Sequence, residues 1–146
     1  MSSQRIVSVL GDLPTDVLIA GWFGRPIQDV PYLCARSIFI SYELHQLFHK
    51  NYALEMRARA LALIDAYYAH ELSDITILRD RIGVTHLLLK RKHINKKRAS
   101  YFAPYDRYIS KRVRGSRIRL LLKNELLDAV IYEDEQYILL DLSRLP

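Results

Sequence analysis

At 146 residues the chain has the length of one domain, enough to bury a core without disulfide or metal staples. Half of it is hydrophobic and 26% charged, which excludes a disordered tail, and its one cysteine, Cys34, excludes an intrachain disulfide framework. The formal net charge of +6 is concentrated: Lys90, Arg91, Lys92, Lys96, Lys97 and Arg98 form a run with no acidic member, outside which basic and acidic residues balance at sixteen each.

In chain order, Gln4 to Leu10 reads as a short helix ended by Gly11. Asp16 to Gly21 is a continuous apolar run of the kind found in a strand buried on both faces. Trp22-Phe23-Gly24-Arg25-Pro26 is a loop, and Asp29 caps a short helix that ends near Arg36. Ser37 to Ser41 is a second buried strand. From Glu43 to Tyr68 apolar residues recur at helical spacing, with a break near Lys50-Asn51; the longer helix carries Glu55, Arg57, Arg59 and Asp65 toward solvent. Ser73 caps a helix from Asp74 to Ile82, closed by Gly83. Val84 to Leu89 is a third strand. The basic run continues through Pro104 as a loop-like connection, and helices follow at Asp106 to Arg112 and, capped by Ser116, at Arg117 to Leu127. Ala129 to Tyr132 and Tyr137 to Leu142 have hairpin spacing around an acidic tip.

Strands alternating with helices define an expected α/β class: a three-layer, Rossmann-like, mostly parallel sheet with a C-terminal antiparallel hairpin at its edge, spanning residues 1–146 as one domain. No apolar run approaches the ~20 residues that span a bilayer, and the first ten residues lack a secretory signal pattern, so the isolated chain is expected to be soluble and cytoplasmic. Cys34, in an apolar setting, reads as a small buried hydrophobe.

The segments Asp16-Val-Leu-Ile-Ala-Gly-Trp and Asp29-Val-Pro-Tyr-Leu-Cys-Ala-Arg-Ser-Ile-Phe-Ile-Ser-Tyr-Glu-Leu-His-Gln resemble a known family. So do Leu63-Ile-Asp-Ala-Tyr-Tyr-Ala, Leu78-Arg-Asp-Arg-Ile-Gly-Val-Thr-His-Leu-Leu-Leu and Tyr101-Phe-Ala-Pro-Tyr-Asp. That family is the soluble C-terminal domain that follows the membrane helices of bacterial multipass glycosyltransferases using lipid-linked sugars. The resemblance implies a non-catalytic accessory domain, because such proteins carry their chemistry in a membrane portion that has no counterpart here. It also implies an extracytoplasmic position and, as partner, a membrane glycosyltransferase portion.

In open parallel sheets ligands bind at the carboxyl ends of the strands, where loops diverge. Those ends carry Trp22, Glu43 with His45 just beyond, and Lys90 with Arg91: an aromatic face, a carboxylate, an imidazole and two cations, a mixture suited to a sugar or isoprenyl-phosphate head group. The plainer account is that Trp22 plugs the core while Glu43 and His45 cap the next helix. His45 and His49 share a helix face at metal-site spacing, yet no evident third ligand stands closer than Glu43, His70 or His86, so no metal is assigned. Glycine-rich phosphate loops, nucleophile elbows and paired carboxylates are absent from the sequence, so no cofactor and no catalytic residue is assigned either. The basic run fits a solvated loop, contact with anionic lipid head groups, or, with Tyr101, Phe102, Tyr105 and Tyr108 as stacking platforms, nucleic-acid binding. The last is the alternative to the accessory-domain reading.

Overall fold

The computed structural model describes residues 2–22, 37–38, 50–95 and 105–146, and elements are numbered over these. Helix α1 is Ser2–Gly11, followed by strands β1 (Leu18–Gly21) and β2 (Ser37–Ile38). Then come α2 (Lys50–Tyr67), α3 (Ser73–Ile77), β3 (His86–Lys90), α4 (Arg91–Asn95), α5 (Asp106–Gly115), α6 (Ile118–Lys123), β4 (Val130–Glu133) and β5 (Tyr137–Asp141).

The five strands form one sheet in the order β2-β1-β3-β5-β4. β1 lies parallel to both β2 and β3, as the three apolar runs led one to expect. The hairpin then pairs antiparallel, β5 against β3 and β4 against β5, with an irregularity between Val130 and Tyr132. The sheet is therefore mixed and not mostly parallel, because two of its five strands belong to the hairpin.

Alternation along the central strands feeds two cores, as a pleated strand requires. Ala20, Leu87, Leu89, Ile138 and Leu140 point to the larger one, which is completed by α2, α3, α5 and α6. Ile19, Leu88, Tyr137 and Leu139 point to the smaller one, closed by Ile6 and Leu10 of α1. Helices thus cover both faces of the sheet.

Several expected boundaries move. The third strand starts at His86; just before it the Thr85 hydroxyl fastens the start of β1, accepting from the Leu18 N–H at 2.9 Å and donating to the Leu18 carbonyl. Ser73 does not cap α3 but begins it, after Leu72; the Asp74 carboxylate in the first turn reaches back to the approach, accepting from the His70 N–H at 2.9 Å and the Glu71 N–H at 3.3 Å. α3 runs on as a π-helical turn, Leu78–Ile82, ended by Gly83 in the left-handed region at φ 89°. Arg79 in that turn donates to the carbonyls of Leu142, Leu145 and Pro146, which fastens the C-terminus. α6 is shorter than expected and Arg117 stands at its N-cap position; Ser116, one residue earlier, accepts from the Ile118 N–H with its hydroxyl. The expected helix at 29–36, the rest of the strand after Ile38 and the short helix before Lys50 lie outside the described residues.

Asp65 does not face solvent. It is half-buried, accepts from the Tyr108 hydroxyl, and lies 3.2 Å from Nε of Arg112. Arg112 also pairs with Asp74 at 3.0 Å and donates to the Asp65 carbonyl, so one guanidinium joins α5 to α2 and α3. Burial works against the Asp74 charge, but the His70 N–H, Arg112 and the Glu71 N–H outweigh it and hold the carboxyl below its usual range.

Candidate functional site

The carboxyl ends of β1 and β3 lie side by side, because the two strands pair from Ile19 opposite His86 to Gly21 opposite Leu88. Trp22 follows β1 directly and is only 2% exposed. Its ring centroid lies 4.8 Å from Tyr67, 6.0 Å from Tyr68 and 5.8 Å from His93, in the tilted and edge-on arrangements aromatic rings prefer. Tyr67 ends α2 and Tyr68 follows it, and His93 comes from α4 and is also 2% exposed. The crevice that the topology creates is filled by these four rings.

The Tyr67 hydroxyl and a His93 ring nitrogen are matched to each other. The Tyr67 oxygen accepts from the Lys90 N–H at 2.9 Å and lies 2.9 Å from Nδ1 of His93, to which its own proton can be donated. An Nδ1 that accepts places the ring proton on Nε2 and keeps the imidazole neutral. Burial, reinforced by Lys90 and Lys92, pushes the His93 pKa down to about 4. Burial likewise raises both Tyr67 and Tyr68 above the ordinary phenol.

Of the five residues expected to bind a ligand, Trp22, Lys90 and Arg91 can be placed; Glu43 and His45 lie outside the described residues. Lys90 and Arg91 diverge. Lys90 lines a recess of about 240 Å³ with Lys92, Glu135, Gln136 and Tyr137, where burial and then Lys92 lower its pKa. Arg91 turns to the other side, onto a cleft of about 380 Å³, and is held to the hairpin tip by the Asp134 carbonyl and by Glu133 at 2.8 Å. Within the basic run, then, Lys90 ends a strand and Arg91 to Asn95 form a helical turn, not a loop; Lys96, Lys97 and Arg98 lie outside the described residues.

His70 and His86, the distant partners considered for a metal, are used elsewhere. His70 Nε2 sits 3.1 Å from the Arg112 carbonyl beneath Gly115, and His86 Nδ1 lies 2.8 Å from the Thr85 hydroxyl. Among the described residues no three His, Cys, Asp or Glu side chains gather as a metal site. His49 and Cys34 lie outside them.

Sequence reasoning missed His93 and a second concentration of cations. Between Arg107 and Lys123 there are seven basic residues and no acidic one. Six of them (Arg107, Lys111, Arg114, Arg117, Arg119 and Lys123) are exposed. The even sixteen-to-sixteen balance outside the first run concealed this, because the compensating carboxylates lie elsewhere in the chain.

No protein-family model matches the chain, and no curated protein sequence does. Among solved structures, it is similar to the C-terminal globular domain of an oligosaccharyltransferase from Archaeoglobus fulgidus, with a TM-score of 0.56 at 11% identity over 94% of each chain. The class defined by fold and site is thus an α/β domain with a mixed sheet and a ring-filled strand-end crevice. Its fold is that of the tail domain of an oligosaccharyltransferase.

Proposed function

We propose that the chain is a non-catalytic accessory domain of a membrane glycosyltransferase of the lipid-linked-sugar type, and that it works by packing against the catalytic portion. The observation that carries this is the strand-end crevice. In a fold shared end to end with an oligosaccharyltransferase tail domain, the place where α/β sheets usually hold a substrate is occupied by Trp22, Tyr67, Tyr68 and His93, with the Tyr67 hydroxyl bonded to His93 and to the Lys90 N–H. A filled crevice makes a firm surface and not a reaction chamber. Lys90 at the end of β3, together with Glu43 and His45 that the sequence puts just after the second apolar run, would meet the partner, with Trp22 buried at the end of β1 and Arg91 bracing the hairpin. The reading places the domain on the extracytoplasmic side.

Fractionation of cells that make a tagged form of the chain tests this. The tag should enter the membrane fraction and copurify, after detergent extraction, with an identified glycosyltransferase, as one polypeptide or as a complex. Recovery of the tag alone in the soluble fraction contradicts the reading. So does turnover of a polyprenyl-phosphate sugar by the purified chain that is lost in Glu43→Gln.

A further inference from the structure

We propose that the outward face of α5 and α6 docks on an anionic lipid bilayer. The surface differs from the Lys90–Arg98 run, and the inference requires no membrane protein. On α5, Arg107, Lys111 and Arg114 recur at helical spacing on the exposed side, while Ile109 and Val113 pack toward the larger core. Arg117 carries the row across the connection, and on α6 Arg119 and Lys123 are exposed while Ile118 and Leu121 are buried. None of these six cations is in an ion pair among the described residues, whereas inward-facing Arg112 pairs twice. From residue 105 to 129 seven basic residues stand against three acidic ones, Asp106, Glu125 and Asp128.

Two leucines distinguish this surface from one that merely attracts anions. Leu120, next to Arg119, is 49% exposed, and Leu127, just past α6, is 59% exposed. Apolar side chains set among cations suit the boundary between head groups and acyl chains, where leucines enter the hydrocarbon and cations meet phosphates. The 380 Å³ cleft opens beside Leu127, with Arg119 and Lys123 on its α6 wall and Arg91 on the opposite one paired to Glu133, its one carboxylate, so a phospholipid phosphate has a recess to enter on the α6 side. A single-stranded nucleic acid would call for exposed aromatic faces, but Tyr105 and Tyr108 of this segment pack against the core and Tyr108 bonds to Asp65.

Sedimentation of the purified chain with vesicles tests the inference, using phosphatidylcholine alone or mixed with phosphatidylglycerol. The mixed vesicles should carry the chain down and the neutral ones leave it in solution. The triple variant Arg107→Gln/Lys111→Gln/Arg114→Gln should lower the partition coefficient roughly a hundred-fold, about five-fold per cation removed. Leu120→Ser/Leu127→Ser should weaken the binding that survives high salt. All five positions are exposed, and emission from buried Trp22 checks that each variant is folded. Three outcomes would each overturn the inference: equal binding to neutral vesicles, a loss reproduced only by neutralising Lys96, Lys97 and Arg98, or tighter binding to a labelled single-stranded oligonucleotide than to the anionic vesicles.

Discussion

The carboxyl ends of β1 and β3 and the outward face of α5 and α6 are both rich in groups that recognise ligands, and the fold uses them in opposite ways. At the strand ends, the Tyr67 hydroxyl, His93 Nδ1, the Lys90 N–H and the Arg91 guanidinium all find partners within the protein. On α5 and α6, six cations point away from it. Arg112 and Arg114 show the divide within a single turn of helix: the first joins Asp65 and Asp74, and the second faces water. What makes a charged or aromatic group available is the lack of an internal partner within bonding distance, and composition alone does not report that.

Substitutions should separate the two regions. The largest effect is expected for Trp22→Ala, which empties the middle of the ring cluster and should cost about 3–5 kcal/mol of unfolding free energy in urea titration. A much smaller loss would mean that the strand ends are loosely filled. Next is Arg112→Ala, at about 2–3 kcal/mol, because it leaves Asp65 and Asp74 without their half-buried counterion; Arg114→Ala, two residues on, should stay within about 0.5 kcal/mol.

Acid should act on the strand ends and leave the cations of α5 and α6 charged. His93 is neutral in the folded protein with a pKa of about 4, below its usual 6.5, so between these values the unfolded chain takes up a proton that the folded one refuses. Stability should be flat above about pH 6.5 and fall by about 2 kcal/mol toward pH 4, with His86, shifted in the same direction, adding to the slope. Asp74, held below its usual carboxyl range, contributes stability that is lost only at lower pH. In His93→Asn the slope should flatten, as urea melts across the window would show. A small effect, between those of Arg112→Ala and Arg114→Ala, is expected for Arg91→Ala, about 0.5–1 kcal/mol, since its partner Glu133 is largely exposed.

The parallel triplet was legible because Val17 to Gly21 and Leu87 to Leu89 are apolar at consecutive positions, a pattern that suits a short strand buried on both faces. The hairpin was legible from its spacing. Its closure was not, because the tip lacks Asn-Gly and relies on Asp134, whose carboxylate accepts from the N–H groups of Gln136 and Tyr137. Asp65, Asp74 and His93 escaped because each owes its role to residues distant in sequence: Arg112 for the first two and Tyr67 for the third. Periodicity can assign a helix face, yet it cannot reveal that a carboxylate on that face meets a guanidinium more than forty positions later. At the candidate site Trp22 was found from its place after β1, but the rings that enclose it come from the end of α2 and from α4, which no local motif connects.

The most direct test of the filled strand ends is an NMR titration of the His93 ring nitrogens in the intact chain. The arrangement predicts a neutral ring protonated on Nε2, with Nδ1 accepting from Tyr67 and a pKa near 4. A His93 that titrates near 6.5 with free exchange between tautomers would show that water reaches the crevice, and the packing role assigned to it would not stand.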